Sequence, residues 1–427
     1  MQNTHRADRR RFLQSAAVLG SAGLLAPAVF AQGAIPRVVV VGGGFAGTSC
    51  ARALRRADPR IAVTLVEANA TYTACPFSNA VIAGMRELGA QQFAYDKVAA
   101  DGIRLVRASA SAIDAGSHSV TLSDGVRLPY DRLVLAPGID LRWDALPGYG
   151  EAAAERMPHA WKAGAQTLLL RRQLEAMADG GLVVMSVPPN PYRCPPGPYE
   201  RASLIAHYLK TRKPRSKLIV LDAKDAFSKQ RLFQRAWSEL YPGLLEWVSL
   251  SKGGGVTSVD ASSNTLATDF GSHRAAVANV IAPQKAGRLA DIAGVADRSG
   301  WCPVDPISFE SKLIPGIHVI GDAAIMGAMP KSAFAANAQA KVCAEAVARL
   351  LSGDAPAATK LINTCYSLVA PDFGISVAGV YQPVNGQLSE VPGSGGVSPA
   401  DAPRATRALE AALAEGWYQT IVAEVFG

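Results

Sequence analysis

The stretch 37–67 decides the fold of this chain, and it reads RVVVVGGGFAGTSCARALRRADPRIAVTLVE. It begins with a β-branched apolar run at 37–41, the pattern of a strand that is buried on both faces. A glycine loop follows, then an Ala- and Leu-rich helical segment at 46–56 and a second apolar run at 61–66. The order of strand, glycine loop, helix and strand predicts a dinucleotide-binding βαβ unit.

The glycine loop matches the pattern G-x-G-x-x-G. Gly42 allows the tight turn, Gly44 lets backbone N–H groups approach a pyrophosphate, and Gly47 lets helix and strand pack closely. Glu67 lies 20 residues after Gly47, the spacing of a carboxylate that reaches a ribose hydroxyl. The motif alone also fits an ordinary glycine turn, but the flanking strands and the terminal acid favour nucleotide binding.

Two later segments favour FAD over NAD. A hairpin signal at 119–128 leads to the run 133–138, which we expect to be a buried strand that ends in a tight turn. Far downstream, an apolar run at 317–320 ends on a Gly-Asp pair, before an Ala-rich helix at 332–350. In flavoproteins with two dinucleotide-binding domains such a carboxylate lies near the ribityl chain. We therefore predict an FAD site that includes Ala136, Gly138, Gly321 and Asp322.

A second α/β domain is predicted at 151–285, but without a nucleotide loop. Its first strand, 181–187, is followed by PPNPYRCPPGPYE at 188–200, where a glycine loop would be expected. Prolines lack an N–H donor and fix φ, so this segment cannot cradle a phosphate. The next strand, 217–222, continues the same fold. We therefore expect no NAD(P)H site.

The 427 residues allow two or three domains. The predicted class is α/β, with two Rossmann-like dinucleotide-binding domains as in disulfide-reductase-like flavoproteins and a C-terminal α+β interface domain. The predicted divisions are a signal peptide at 1–31, FAD-binding parts at 35–150 and 286–350, the second Rossmann-like domain at 151–285, and the interface domain at 351–427. A Gly-, Pro- and Ser-rich segment at 384–404 is expected to be a surface loop.

The segment 1–31 resembles a twin-arginine export signal. Arg9, Arg10 and Arg11 precede Phe-Leu and a short apolar stretch that ends at Val-Phe-Ala. We expect cleavage after Ala31 and a periplasmic protein; an uncleaved anchor is the alternative. Cleavage would lower the formal charge from +8 to +5, and no basic run is interleaved with aromatic residues, so nucleic acid is not an expected partner. No other segment offers a transmembrane span.

None of the six cysteines forms a C-x-x-C pair, and we predict no metal site. Three of them lie in segments that suggest simple packing: Cys50, Cys302 and Cys343. The remaining three lie in loop-like segments or at the start of the C-terminal region: Cys75, Cys194 and Cys365. Each of these could be inert, although in an exported protein a disulfide between two of them is also reasonable.

Longer stretches resemble the flavoprotein subunit of flavocytochrome c sulfide dehydrogenase. They cover nearly the whole chain after residue 31, at 72–79, 158–164, 193–203, 300–305, 329–332, 363–367, 395–397 and 417–418, with Tyr381. The resemblance implies a thioether between Cys75 and the flavin 8α carbon, although Ala74 and Pro76 differ from the family pattern. It also implies that Cys194 and Cys365 form a redox disulfide over the isoalloxazine, and it brings Lys331 into the cofactor site.

The resemblance implies that hydrosulfide opens this disulfide, that two electrons pass to FAD, and that they leave singly to a c-type haem. Because the chain has no C-x-x-C-H, the haem must belong to a cytochrome subunit or to soluble cytochrome c. Glu200 is a candidate proton carrier beside the disulfide. A solvated carboxylate at a helix start is the alternative, and Trp417 either shields the site or packs in the core.

Three other functions fit part of the sequence. A sulfide:quinone oxidoreductase shares the fold and the disulfide but needs an apolar membrane-binding surface, which the acidic residues of 405–427 do not suggest. A type II NADH dehydrogenase is disfavoured by the missing second glycine loop. A non-catalytic flavoprotein that stabilises a cytochrome would differ by showing no sulfide-dependent bleaching of its flavin.

Overall fold

The first sheet is built around the βαβ unit and is parallel throughout. Its central strand is almost fully buried, with Val38 to Val41 at most 5% exposed, as expected for a strand covered on both faces. In spatial order the five strands are Ile317–Val319, Arg132–Leu135, Arg37–Val41, Ala62–Val66 and Arg104–Val106.

Two helices pack together on this sheet. Helix Phe45–Ala57 follows the glycine loop, and helix Ala333–Leu351 follows the predicted Gly-Asp turn. Both begin and end within one residue of the predicted bounds. Cys50 and Cys343 are fully buried in these helices, which confirms that they are packing residues.

The second sheet is also parallel and confirms the second Rossmann-like unit. Its strands, in spatial order, are Leu245–Val248, Lys217–Asp222, Leu182–Val187 and Val277–Val280. Its helices are Ala165–Ala176, Gly197–Arg212 and Gln230–Leu240. The helix at 197 begins within the proline-rich segment 188–200, so Cys194 lies where the nucleotide loop of such a unit would be.

The C-terminal region is an antiparallel sheet and one long helix, Arg404–Phe426. Strand Phe373–Val384 pairs with Leu361–Ala370, with Gln387–Glu390 and with Gly396–Val397. The prediction of a continuous loop at 384–404 was therefore wrong in part. Glycine and proline in this segment have low β-propensity and obscure the sequence pattern of a strand. Backbone pairing with the long strand Phe373–Val384 outweighs that low propensity.

The remaining elements are short. The predicted hairpin is confirmed, since Ser119–Leu122 pairs antiparallel with Arg127–Pro129. The other strands are Thr71–Thr73, Gln92–Ala94, Ala110–Asp114, Ile139–Leu141, Val256–Asp260, Thr265–Thr268, Gly271–Arg274, Gln284–Ala286, Cys302–Pro303 and Ala324–Ile325. The other helical turns are Ser78–Ile82, Leu88–Gln91, Asp96–Ala100, Glu151–Ala154, Leu250–Lys252, Leu289–Ile292 and Gly321–Ala323.

The structure is a computed structural model that describes residues 35–427. The predicted signal peptide at 1–31 lies outside the described residues. Residues 36–427 form one compact unit, so the domain boundaries inside it stay predictions. Within 35–427, no helix has both the length and the apolar character needed to cross a membrane.

Candidate active site

One large cavity, of about 590 Å³, opens between the first sheet, the proline-rich segment and the C-terminal sheet. Its wall includes every predicted site residue except Gly47 and Lys331. Residues distant in sequence therefore meet at one place, and the cavity is large enough for a substantial ligand.

The glycine loop forms one end of this cavity. Gly42 has a φ of +106°, which favours glycine, and a Cβ on Gly47 would lie 1.8 Å from the carbonyl oxygen of Gly42. Gly44 precedes helix Phe45–Ala57, and no side chain caps the first turn of that helix. The uncapped N–H groups at a helix start form a ready anion site. This geometry fits a pyrophosphate.

Glu67 lies beside the loop, at the end of strand Ala62–Val66. Its carboxylate accepts a 2.8 Å hydrogen bond from the N–H of Gly43 and further bonds from the backbone and side chain of Asn69, each 2.8 Å. The Tyr95 hydroxyl donates to the Gly43 carbonyl at 2.9 Å. The acid thus holds the loop in shape and still lines the cavity where a ribose would bind.

Asp322 gives the clearest indication of a missing polar partner. One oxygen of this carboxylate is buried and has no hydrogen-bond partner within the described part of the chain, and the other lies 3.8 Å from the Arg193 guanidinium. Burial raises the pKa of Asp322. A buried polar atom without a partner is costly, so a ligand hydroxyl is the expected partner. The predicted ribityl contact fits this atom.

Lys331 lies behind the Gly-Asp turn rather than in the cavity. Its ammonium donates to the carbonyl oxygens of Asp322 at 2.8 Å and Ala324 at 2.7 Å, and lies 4.0 Å from the centre of the Trp301 ring. The ammonium of Lys331 therefore has protein acceptors, and its contact with the cofactor stays a prediction. The lysine satisfies backbone carbonyls and so supports the turn that carries Asp322.

Cys194 and Cys365 lie on the wall of the same cavity. Cys194 has a φ of +57° in the segment before helix Gly197–Arg212, and its N–H donates to the carbonyl of Lys331 at 2.8 Å. Cys365 lies in strand Leu361–Ala370, where the Asn363 side chain donates to its sulfur at 3.3 Å. A left-handed non-glycine residue is strained, and such strain often marks functional positions.

The predicted disulfide is not formed in this structure, since all six cysteines are free thiols. A dithiol is the two-electron-reduced form of a disulfide, and the disulfide between Cys194 and Cys365 stays a prediction. Burial is the main cause that raises the pKa of Cys194, and the nearby Cys365 raises it further. Cys194 is partly buried and Cys365 is buried, and the effect of Cys365 on the pKa of Cys194 indicates that the two thiols lie close together on the cavity wall.

Glu200 is not the solvated carboxylate that the alternative suggested. One of its oxygens accepts from the Asn79 amide at 2.8 Å, and the other accepts from the N–H of Leu368 at 2.8 Å. Burial raises the pKa of Glu200 above its ordinary value, despite these two donors. A carboxyl with a raised pKa beside two thiols is a candidate for proton exchange with them.

Cys75 lies on the cavity wall at a different place. Its sulfur lies 3.9 Å from the carbonyl oxygen of Trp161, to which the Arg193 guanidinium also donates. The Arg193 side chain therefore lies among three predicted site residues: Cys75, Cys194 and Asp322. No sequence pattern assigns a role to Arg193, because its position in the proline-rich segment does not show which way its side chain points.

The nucleotide position of the second Rossmann-like unit is filled by protein. Strand Lys217–Asp222 ends on an acid, as in nucleotide-binding units, but Asp222 is fully buried. Its carboxylate accepts from the Tyr199 hydroxyl at 2.6 Å, from the Trp247 indole at 2.9 Å and from Lys224 at 2.6 Å. An acid with these internal donors is not available to a ribose.

Fold and cavity together define the class of two-domain Rossmann-like flavoproteins, here with a second unit whose nucleotide position is filled by protein. Residues 36–172 match the family model described as pyridine nucleotide-disulphide oxidoreductase. Residues 167–282 match the sulfide dehydrogenase [flavocytochrome c] flavoprotein chain, central, and 357–426 match the flavin-binding model of flavocytochrome c sulphide dehydrogenase. These models cover the glycine loop, the segment of Cys194 and the strand of Cys365, and the flavin-binding model supports FAD as the cofactor.

Relatives agree with this class. The flavoprotein chain of sulfide dehydrogenase from Chlorobaculum thiosulfatiphilum is 64% identical over 45 residues, which is 10% of this chain and 94% of that sequence. Mouse mitochondrial sulfide:quinone oxidoreductase is 22% identical over 341 residues, 75% of this chain and 72% of that one. The sulfide:quinone oxidoreductase structure from Aquifex aeolicus has a TM-score of 0.72 at 16% identity and covers 91% of this chain and 92% of its own, a likeness of fold alone. The chain belongs to the flavocytochrome c sulfide dehydrogenase family, as its flavoprotein chain.

Proposed function

We propose that this chain oxidises hydrosulfide at the Cys194–Cys365 pair, passes the electrons to FAD and delivers them singly to a c-type cytochrome. The observation that carries the proposal is the cavity wall on which both thiols lie with Asp322 and the glycine loop. The first step, hydrosulfide attack on the disulfide form, breaks one sulfur–sulfur bond and forms another. It leaves a persulfide on one cysteine and a thiolate on the other.

A second hydrosulfide then takes the outer sulfur of the persulfide as HSS⁻ and leaves one thiol and one thiolate. This pair returns to the disulfide when it loses two electrons and one proton. Bound FAD supplies a two-electron acceptor that can also release electrons one at a time. Glu200 accepts the proton, because its carboxyl is held beside the pair by Asn79 and Leu368 and burial raises its pKa.

The next acceptor is a haem on another polypeptide. The chain has no C-x-x-C-H motif, and its family is the flavoprotein chain of a flavocytochrome c, so a cytochrome subunit or a soluble cytochrome c fits. The twin-arginine pattern at 1–31 supports a periplasmic site of action. Mixing the purified protein with sulfide and oxidised cytochrome c tests the proposal. The expected result is cytochrome reduction that requires both the protein and sulfide.

The flavin should remain with the polypeptide after acid precipitation, because Cys75 is proposed to form a thioether with the 8α carbon. Cys75→Ser should release the flavin into the supernatant, where its absorbance is measured. Cys194→Ser is the matched control, since it alters a thiol on the same cavity wall and should leave the flavin in the pellet. Yellow supernatant from the unmutated protein would refute the thioether and leave FAD binding intact.

NADH and NADPH should not reduce the flavin. The prolines of 188–198 replace the phosphate-binding turn, and Asp222 is held by Tyr199, Trp247 and Lys224. In an anaerobic cuvette, excess NADH should leave the flavin absorbance unchanged over the time in which sulfide bleaches it. Fast bleaching by NADH would show that the second unit still binds a nucleotide, and would favour an NADH dehydrogenase.

A further inference from the structure

A buried lysine from the second Rossmann-like unit reaches the strand that carries Cys365. Lys229 is only 8% exposed and has a φ of +60°, directly before helix Gln230–Leu240. Its ammonium donates to the carbonyl of Cys365 at 2.9 Å, to the Ser367 hydroxyl at 2.8 Å and to the carbonyl of Ile375 at 3.4 Å. The amine is therefore fixed against the C-terminal sheet beside the thiol pair.

The charge of this ammonium is not balanced by its hydrogen-bond partners, since all three acceptors are neutral oxygens. Burial lowers the pKa of Lys229 to about 8, and four acidic groups that face it oppose this change: Cys365, Glu200, Cys194 and Glu410. Glu410 itself accepts from Arg407 at 3.0 Å. A buried cation with neutral partners costs free energy unless an anion forms next to it.

The proposed cycle forms such an anion. Opening the disulfide releases a thiolate, and a thiolate without a counter-charge is strongly disfavoured in a buried site. Lys229 is one of the two cations whose charge lowers the pKa of Cys194, the other being Arg193. Arg193 lines the cavity and faces Cys75 and Asp322. Lys229 does not line the cavity and donates to the backbone carbonyl of Cys365.

We propose that Lys229 is a positioning residue that holds the strand of Cys365 and supplies the positive charge against which the thiolate of the opened pair forms. The inference rests on the proposed sulfur relay and adds a residue from outside the cavity lining. The proposal also assigns a role to the second Rossmann-like unit. That unit presents both Cys194 and the cation that serves Cys365.

The test is the pH dependence of thiol alkylation in the reduced, FAD-containing protein, with iodoacetamide as probe and mass spectrometry to quantify Cys194 and Cys365. Lys229→Gln keeps an amide donor for the carbonyls but removes the charge. At neutral pH it should slow alkylation of at least one of the two thiols by about tenfold, because loss of a nearby cation raises a thiol pKa by roughly one unit. Its alkylation profile should shift to higher pH accordingly.

Lys229→Arg should restore the unmutated profile, because the arginine keeps the charge. Lys217→Gln is the matched control. It removes an equal charge from the surface of the same unit, where Lys217 is about half exposed and pairs with Glu246, and should leave alkylation unchanged. Identical profiles for Lys229→Gln and the unmutated protein, or an Arg variant shifted as far as the Gln variant, would overturn the proposal. Alkylation reports on the thiols alone, so this result is separate from a failure of the sulfide reaction.

Discussion

Replacing Cys194 or Cys365 by serine should reduce sulfide-dependent cytochrome c reduction by roughly a thousandfold or more, in a protein that still folds and holds FAD. Either change removes the electrophilic sulfur–sulfur bond that hydrosulfide must open, and a variant that lacks a covalent participant has no equivalent route. The glycine loop, Glu67 and Asp322 are untouched by either substitution. The rate is measured as cytochrome absorbance change under anaerobic conditions.

Two controls distinguish loss of the sulfide reaction from loss of an intact flavin site. Dithionite should still bleach the flavin of both serine variants, which would show that the flavin site is intact. Cys302→Ala alters a buried thiol outside the cavity and should keep most of the sulfide activity. Near-normal sulfide turnover in either serine variant would mean that the electrons do not pass through this pair.

Gly47→Ala should abolish FAD binding and destabilise the protein by roughly 3 kcal/mol or more, which is the scale of severe overpacking. The added Cβ would lie 1.8 Å from the Gly42 carbonyl oxygen and 3.2 Å from the Ala136 side chain, so helix and glycine loop must separate. Loss of the pyrophosphate site follows directly from that separation. Flavin content after purification and the urea midpoint measure the two effects.

Gly416→Ala is the matched control for this substitution. Gly416 lies inside helix Arg404–Phe426, and a Cβ there would have no neighbouring atom within 4 Å. The change should stabilise the helix by up to about 1 kcal/mol and leave flavin content unchanged. A Gly47→Ala protein with normal flavin content would contradict the assignment of the glycine loop to the pyrophosphate.

The sequence predicted four of the five strands of the first sheet, because they follow from the local hydrophobic pattern and the glycine turns, and it missed the short edge strand Arg104–Val106. The prediction that Cys194, Cys365 and Glu200 lie at one site came from a family resemblance. No local sequence pattern relates a loop in one unit to a strand in another. The sheet at 384–404 was missed because its strands depend on a partner strand more than on their own residues.

Side-chain direction was the other information that the sequence lacked. Lys331 lies in a stretch shared with the family, yet its ammonium supports the turn of Asp322 from behind. Lys229 lies in an unremarkable polar segment, and its contact is with a residue 136 positions later in the chain. Asp222 ends a strand, as the acid of a nucleotide-binding unit would. Only the structure shows that its carboxylate accepts hydrogen bonds from donors within the protein.

The central claim is that sulfide delivers electrons through this protein to a cytochrome, and anaerobic titration of the purified protein with sulfide tests it most directly. Flavin absorbance is followed first in the protein alone and then after addition of oxidised cytochrome c. We expect sulfide to bleach the flavin and the cytochrome to restore its colour while becoming reduced, two cytochromes per flavin. A flavin that stays oxidised with excess sulfide, in protein that dithionite can reduce, would show that sulfide does not deliver electrons to this flavin.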